Sequence, residues 1–143
     1  MRYVVASDGS EASLKAARWL ARRCCPGPAD EVFVIYVFPL PPDLECYDGV
    51  VALPTDGGDE RVRRVAAGVL ERTADALTAI PSRVEQVILV GNPGMEIVEL
   101  ATNQAADLIV IGTRGHSVEH ELYLGSVSSA VAHRAPCSVL IVR

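Results

Sequence analysis

The chain has 143 residues, of which 50% are hydrophobic and 22% are charged, and its formal net charge is −5 at pH 7. This length and apolar content predict one domain, residues 1–143, with a single buried core. The acidic balance argues against a nucleic-acid partner, which would need clustered basic side chains on one face. The short basic cluster of Arg61, Arg63 and Arg64 is more typical of the solvated face of a helix.

Membrane and secretory features are also missing. No apolar run approaches the length of about 18 residues that spans a bilayer. The first residues, Met1–Ala6, lack the regions of a signal peptide, so we expect a cytoplasmic protein without a membrane partner. The cysteines are not spaced like a zinc site and are expected to be reduced thiols: Cys24, Cys25, Cys46 and Cys137.

The first part of the chain alternates strand and helix patterns. The run Arg2–Ser7 predicts a strand that is buried on both faces. A helix is expected from its N-cap, Ser10, to Cys24, because Pro26 stops it. A second apolar strand follows at Glu31–Phe38.

The segment from Pro39 to Asp59 is rich in proline, glycine and aspartate and has no sustained period, which is typical of a long surface loop. Its acidic side chains disfavour contact with phosphates, so we favour a docking surface over a lid. The apolar residues of Val62–Leu77 recur at helical spacing, which predicts a helix that Pro81 ends.

The alternation continues to the end of the chain. The predicted elements are a strand at Val84–Val90, a turn at Gly91–Gly94, a helix at Met95–Gln104, a strand at Leu108–Ile111, a helix at Ser126–His133 and a strand at Ser138–Val142. Strands that alternate with helices imply right-handed crossovers. The predicted fold is α/β, a single open doubly wound five-stranded parallel sheet in the order 3-2-1-4-5 with helices on both faces. Its ligand crevice lies between strands 1 and 4, where the order reverses, and places Asp8 and Gly112 on opposite walls.

Glycines follow the fourth strand, in Gly112–Gly115, and Gly125 comes after nine further residues. Small residues at such a turn let backbone N–H groups approach an anion. Ser126 and Ser128 open the next helix, where a hydroxyl can cap free N–H groups or bind a phosphate oxygen. The glycine spacing alone is equally compatible with a turn that binds nothing.

The chain resembles the universal stress protein family over essentially its whole length. The matching pieces are Ala6–Ser10, Gly91–Pro93 and Asp107–Gly112. The glycine loop completes the nucleotide signature of the family, which is Gly, two residues, Gly, nine residues and Gly-Ser. By this resemblance the chain falls in the ATP-binding branch, which keeps the signature.

The resemblance implies which residues hold the nucleotide. Asp8 and the main chain of Ala6 and Ser7 would hold the adenosine part, with Val37 at the adenine edge. The phosphates would be enclosed by the glycine loop and the start of the next helix: Gly112, Gly115, Gly125, Ser126, Val127 and Ser128. Arg114 would add positive charge to that loop.

Structural alternatives stay open for several of these residues. Asp8 and Ser10 can serve as caps of a plain strand-to-helix turn, and Val37 can belong to the core. A tight turn and a helix start account for Gly91 and Pro93.

The loop also departs from what a triphosphate needs. Its nine-residue segment has no lysine or arginine, and Glu119 and Glu121 repel phosphates unless they face solvent or hold a divalent ion. AMP or ADP are therefore alternatives to ATP as the ligand, and magnesium is an optional companion of the nucleotide. His116 and His120 are spaced like a helical metal pair, but no third ligand is near them, so no metal site is expected.

The sequence contains no recognisable catalytic triad and no Walker lysine near the glycines. The expected function is an adenine-nucleotide-binding stress-response module that acts as a sensor or regulator, with an unidentified regulatory protein partner and at most slow ATP hydrolysis. Two alternatives stay open, a dimeric interaction module that binds no nucleotide and a nucleotide hydrolase. A homodimer through Ser138–Val142 is expected, because an apolar strand at a sheet edge seeks a partner and the family resemblance points to a two-fold dimer.

Overall fold

The computed structural model describes residues 1–39, 58–113 and 124–143, without the side chains at 58, 59, 61 and 62. Strands and helices alternate in it as predicted. The strands are β1 Arg2–Ala6, β2 Glu31–Pro39, β3 Arg83–Gly91, β4 Leu108–Gly112 and β5 Ser138–Val142. The helices are α1 Glu11–Trp19, α2 Gly58–Asp75, α3 Pro93–Asn103 and α4 Ser126–Arg134.

The five strands form one parallel sheet in the order β3-β2-β1-β4-β5, which confirms the predicted fold class. In the central strand β1, Ala6 lies beside Ile35 of β2 and Ile111 of β4. The strand order reverses between β1 and β4. A crevice therefore opens beyond the carboxyl ends of these two strands.

Two apolar clusters, one on each face of the sheet, hold the helices in place, because successive strand side chains point to opposite faces. Val5 belongs to the cluster that α1 and α2 cover, together with Leu70 of α2. Its neighbour Val4 belongs to the other cluster, which contains Ile97 of α3 and Val131 of α4. Each face thus carries one pair of helices, as a doubly wound sheet requires.

The last turn of the first helix differs from the prediction. α1 ends at Trp19, and the chain continues through one wider, π-helical turn at Leu20–Cys24. The N–H of Cys25 donates to the carbonyl of Leu20 at 3.3 Å, five residues back. The predicted end at Cys24 was therefore right, but its regular α geometry was wrong. The wider turn leaves Leu20 fully buried while Cys25, with φ of 49°, ends the helix.

The start of α3 also differs, since the predicted turn over Gly91–Gly94 does not form. Gly91 closes β3, and Pro93 is the first residue of α3. The cause is Asn92, whose side chain accepts a hydrogen bond from the N–H of Met95 at 3.2 Å and caps the helix. Proline then occupies the first helical position, where its missing N–H costs nothing.

The predicted surface loop was too long at both ends. Pro39 is the last residue of β2, and α2 begins at Gly58 instead of after Asp59. The rest of that loop lies outside the described residues. α2 ends at Asp75, two residues before the predicted end at Leu77.

Candidate functional site

A cleft of about 980 Å³ opens where β1 and β4 end. Every predicted nucleotide-binding residue that the structure describes lines it: Ala6, Ser7, Asp8, Val37, Gly112, Gly125, Ser126, Val127 and Ser128. Asp8 and Gly112 thus share one cleft, as the strand order predicts. Arg114 and Gly115 lie outside the described residues, as do Glu119, Glu121, His116 and His120.

The loop between β1 and α1 carries Asp8 into the cleft. Oδ1 of Asp8 accepts a hydrogen bond from the N–H of Ser10 at 3.0 Å, which closes a tight turn. Gly9 within the turn has a φ of +77°, a conformation that suits glycine. Ser10 caps α1 as predicted, since its Oγ accepts from the N–H of Ser13 at 3.3 Å. The turn and cap functions are therefore present in a loop that also lines the cleft.

A buried hydroxyl network joins this loop to α2. Oγ of Ser7 lies 3.1 Å from Oγ of Ser13 and 2.7 Å from Oγ1 of Thr73. The same Ser7 oxygen accepts a hydrogen bond from the N–H of Gly9 at 3.2 Å, and Thr73 Oγ1 donates to the carbonyl of Val69 at 2.8 Å. The network fixes the position of the Asp8 loop relative to α2.

The first turn of α4 forms the opposite side of the cleft. Gly125 is the N-cap, and among the described residues no side-chain hydrogen bond caps the helix, so capping, one of the two functions open to the serine hydroxyls, is not seen there. Ser128 instead lies buried, with its Oγ 2.9 Å from the carbonyl oxygen of Thr113 and 3.0 Å from that of Gly125. The uncapped N–H groups and the positive end of the helix dipole favour an anion at this end.

Packing within the fold requires a glycine at position 112. A Cβ built on it would lie 2.7 Å from the carbonyl carbon of Ala12 and 2.9 Å from the nitrogen of Ser13. Real Cβ atoms do not come this close to backbone. The packing of β4 against the start of α1 therefore accounts for this glycine, independently of any phosphate.

α2 contributes a wall of the cleft that was not predicted from the sequence. Its residues in the cleft are Arg64, Val65, Gly68, Val69, Glu71 and Arg72. The apolar period of a helix marks the face that packs on the sheet, but a second face that lines a cleft has no such signature. The contact of Thr73 with Ser7 leaves no local signal in the sequence, because the two residues are 66 positions apart in the chain.

Tyr36 of β2 also lines the cleft and was not predicted to do so. Burial raises the pKa of the Tyr36 hydroxyl, and the nearby negative charge of Asp8 raises it further. The phenol therefore stays protonated at neutral pH and is available as a hydrogen-bond donor.

The described part of the chain contains no helix long and apolar enough to cross a bilayer. Within the same residues, no group of three or more His, Cys, Asp and Glu side chains is placed to hold a metal ion.

Sequence comparison identifies relatives along the whole chain. The profile of the universal stress protein family matches residues 1–143. A universal stress protein of Methanocaldococcus jannaschii is 34% identical over 149 residues, which cover 99% of this chain and 81% of that protein. One from Synechocystis is 33% identical over 126 residues, or 80% of each protein.

Solved structures agree with these relationships. A universal stress protein from Lactobacillus plantarum superposes with a TM-score of 0.70 at 25% identity, over 100% of this chain and 97% of that one. A universal stress protein in complex with cAMP superposes with a TM-score of 0.61 at 27% identity, again over 100% and 97%. Sequence and fold together show that the chain belongs to the universal stress protein family.

Proposed function

We propose that this protein binds an adenine nucleotide in the cleft between β1 and β4 and acts as a sensor or regulator in a stress response. One observation carries the proposal. Four separate segments that the family resemblance assigns to the nucleotide, at Ala6–Asp8, Val37, Gly112 and Gly125–Ser128, line a single cleft. The cleft volume of about 980 Å³ falls in the range of small-molecule sites.

The chemistry of the cleft suits the three parts of a nucleotide. Val37 and Ile97 supply apolar surface for the edge of a base. The Asp8 carboxylate can accept hydrogen bonds from ribose hydroxyls. The first turn of α4 offers N–H groups and a helix dipole to a phosphate.

Charge favours a nucleotide with one phosphate over ATP. The segment between Gly115 and Gly125 carries Glu119 and Glu121 and no lysine or arginine. A triphosphate would meet this negative charge with three phosphate groups, whereas AMP or cAMP presents one. One of the similar solved structures, a universal stress protein, is in complex with cAMP, which carries one phosphate.

Calorimetric titration of dialysed protein with cAMP, AMP, ADP and ATP, each with and without Mg²⁺, tests the proposal. We expect one nucleotide to bind per chain, most tightly for a monophosphate, and Mg²⁺ to matter only for ATP. The absence of binding heat, from folded protein that carries no copurified nucleotide, would overturn the proposal and favour an interaction module that binds no nucleotide.

The glycine loop has a test of its own in Gly115→Val. A branched side chain at 115 should block the approach of a phosphate to the backbone, so the affinity for AMP should fall while the unfolding temperature stays unchanged. If this variant bound AMP as tightly as the parent, the assignment of the loop to the phosphate would be wrong.

A homodimer through β5 is the second part of the proposal. β5 is the outermost strand and, among the described residues, pairs with β4 alone. Its residues Val139, Leu140 and Ile141 are only half-buried. The free edge offers backbone N–H and carbonyl groups to a second copy. Light scattering should give the mass of a dimer, and a monomer at high concentration would refute this part.

A further inference from the structure

Gly68 occupies the interior of α2, where glycine destabilises a helix relative to alanine. Close packing explains another helix glycine of the protein, in the first turn of α3. A Cβ built on Gly94 of α3 would lie 2.9 Å from the Cβ of Ala130 in α4. For Gly68, apart from its own helical backbone, no heavy atom of the described residues lies within 4 Å of the built Cβ. Packing among these residues therefore does not require glycine at this position.

Gly68 lines the cleft, and so do Val65 and Arg72. Their spacing of three and four residues places them on one face of α2. Val65 is 43% exposed, so this large apolar side chain faces the cleft instead of the core. We call Val65, Gly68 and Arg72 the α2 wall. The side chains of Val65 and Arg72 flank Gly68, which has no side chain.

Arg72 is held along this wall by its own helix. Its Nε donates a hydrogen bond to the carbonyl of Gly68 at 3.2 Å. Its Nη2 lies 2.5 Å from the position of a Cβ built on Gly9, so the guanidinium reaches the β1–α1 loop. None of the ion pairs within the described ranges involves Arg72. Its charge and its planar face are therefore not committed to a carboxylate of those residues.

We propose that the α2 wall is the surface against which the planar base of the bound nucleotide lies, and that Gly68 is the residue that admits it. This inference rests on the proposed binding of an adenine nucleotide in the cleft. A flat ring can approach a helix backbone only where no side chain projects. Val65 then supplies apolar contact, and the Arg72 guanidinium stacks on the aromatic plane. The destabilising helix glycine is explained by the ligand instead of by folding.

The test compares Gly68→Leu and Gly68→Ala with Ala67→Leu, a matched control at an exposed position of α2 that is not part of the cleft lining. Both Gly68 variants should raise the unfolding temperature by about 3 °C, because they remove a helix-interior glycine. Gly68→Leu should weaken binding of AMP and of adenosine by about tenfold or more, since the new side chain overlaps the base. Ala67→Leu should bind both ligands like the parent.

The outcomes separate this inference from the proposed function. If the parent binds AMP and Gly68→Leu binds AMP and adenosine as tightly, the base does not lie on the α2 wall and the inference alone is overturned. A loss confined to AMP would place the phosphate there and overturn it as well. A parent that binds neither ligand overturns both proposals. If Gly68→Leu fails to fold, Gly68→Ala decides: weaker binding at raised stability supports the inference, and unchanged binding overturns it.

Discussion

The hydroxyl oxygens of Ser7 and Thr73 lie 2.7 Å apart, and both side chains are buried. Ser7 precedes Asp8 in the β1–α1 loop, and Thr73 lies on α2 one residue after Arg72 of the α2 wall. Two sides of the cleft are therefore joined by a short hydrogen bond in the interior. The stability of the fold and the shape of the cleft should depend on it together.

Thr73→Val tests this coupling, since valine keeps the shape of threonine and removes the hydroxyl. We expect the free energy of unfolding to fall by about 1–3 kcal/mol, because the buried Ser7 hydroxyl loses a partner. The affinity for AMP should fall as well. Urea unfolding and calorimetry measure the two effects.

The control is Thr102→Val in α3. Thr102 Oγ1 donates to the carbonyl of Val98 at 2.8 Å, the same bond four residues back that Thr73 makes, but at an exposed position. Removal of the Thr102 hydroxyl should lower the free energy of unfolding by less than removal of the Thr73 hydroxyl. Equal losses of stability in both variants would show that the contact with Ser7 contributes nothing.

Gly112→Ala should destabilise the protein by about 1–3 kcal/mol, because its Cβ would overlap the backbone of Ala12 and force β4 and α1 apart. Thermal unfolding measures the loss. Gly27→Ala is the control, since a Cβ there would meet its nearest atom, Oδ2 of Asp30, at 3.8 Å. A Gly112→Ala variant as stable as the parent would contradict the packing reason given for this glycine.

Ser128→Ala should lower the affinity for AMP and reduce the free energy of unfolding by about 1 kcal/mol. The hydroxyl lies at hydrogen-bond distance from the carbonyls of Thr113 and Gly125, so its loss leaves the first turn of α4 less firmly held to the end of β4. Ser129→Ala in the same turn serves as the comparison. Reduced stability with an unchanged affinity would confine Ser128 to a structural function.

The pH dependence of stability should change in Glu96→Gln. Burial raises the pKa of the Glu96 carboxyl, and the negative charge of Glu99 raises it further. Just above the ordinary value of 4.5, the folded protein therefore keeps a proton that the unfolded chain has released. The contribution of Glu96 to stability falls as the pH rises through this range and is constant above the raised pKa.

Glutamine does not titrate, so the stability of the parent relative to Glu96→Gln should decrease from about pH 4 upwards and then level off. Urea unfolding of both proteins at a series of pH values measures this difference. A difference that grows with pH would mean that folding lowers the pKa of Glu96.

The spacing of hydrophobic residues along the chain was sufficient to predict the strands, the helices and their alternation. Apolar runs such as Glu31–Phe38 mark buried strands, and the alternation of strands with helices dictates a parallel sheet. The position of Asp8 and Gly112 in one cleft followed from strand order alone. These features depend on periodicity and chain connectivity, both of which a single sequence displays.

The α2 wall and the Ser7–Thr73 contact were not predicted, because they depend on how a helix returns over the strand ends. A sequence also shows where a glycine lies in the chain, but it does not show which group occupies the space that a side chain would fill. Gly112, Gly94 and Gly68 look alike in the sequence. The first two make room for a helix backbone and for the side chain of Ala130, and the third faces the cleft.

The N–H of Gly125 donates to the carbonyl of Thr113 at 2.8 Å, so the chain segment between them is closed at its base. This bond joins backbone groups and does not depend on which side chains stand in the segment. The N-cap of α4 is therefore tied to the residue that follows β4 whatever side chains these two positions carry. The sheet and the helix that opens the cleft wall on this side are thus coupled through the main chain.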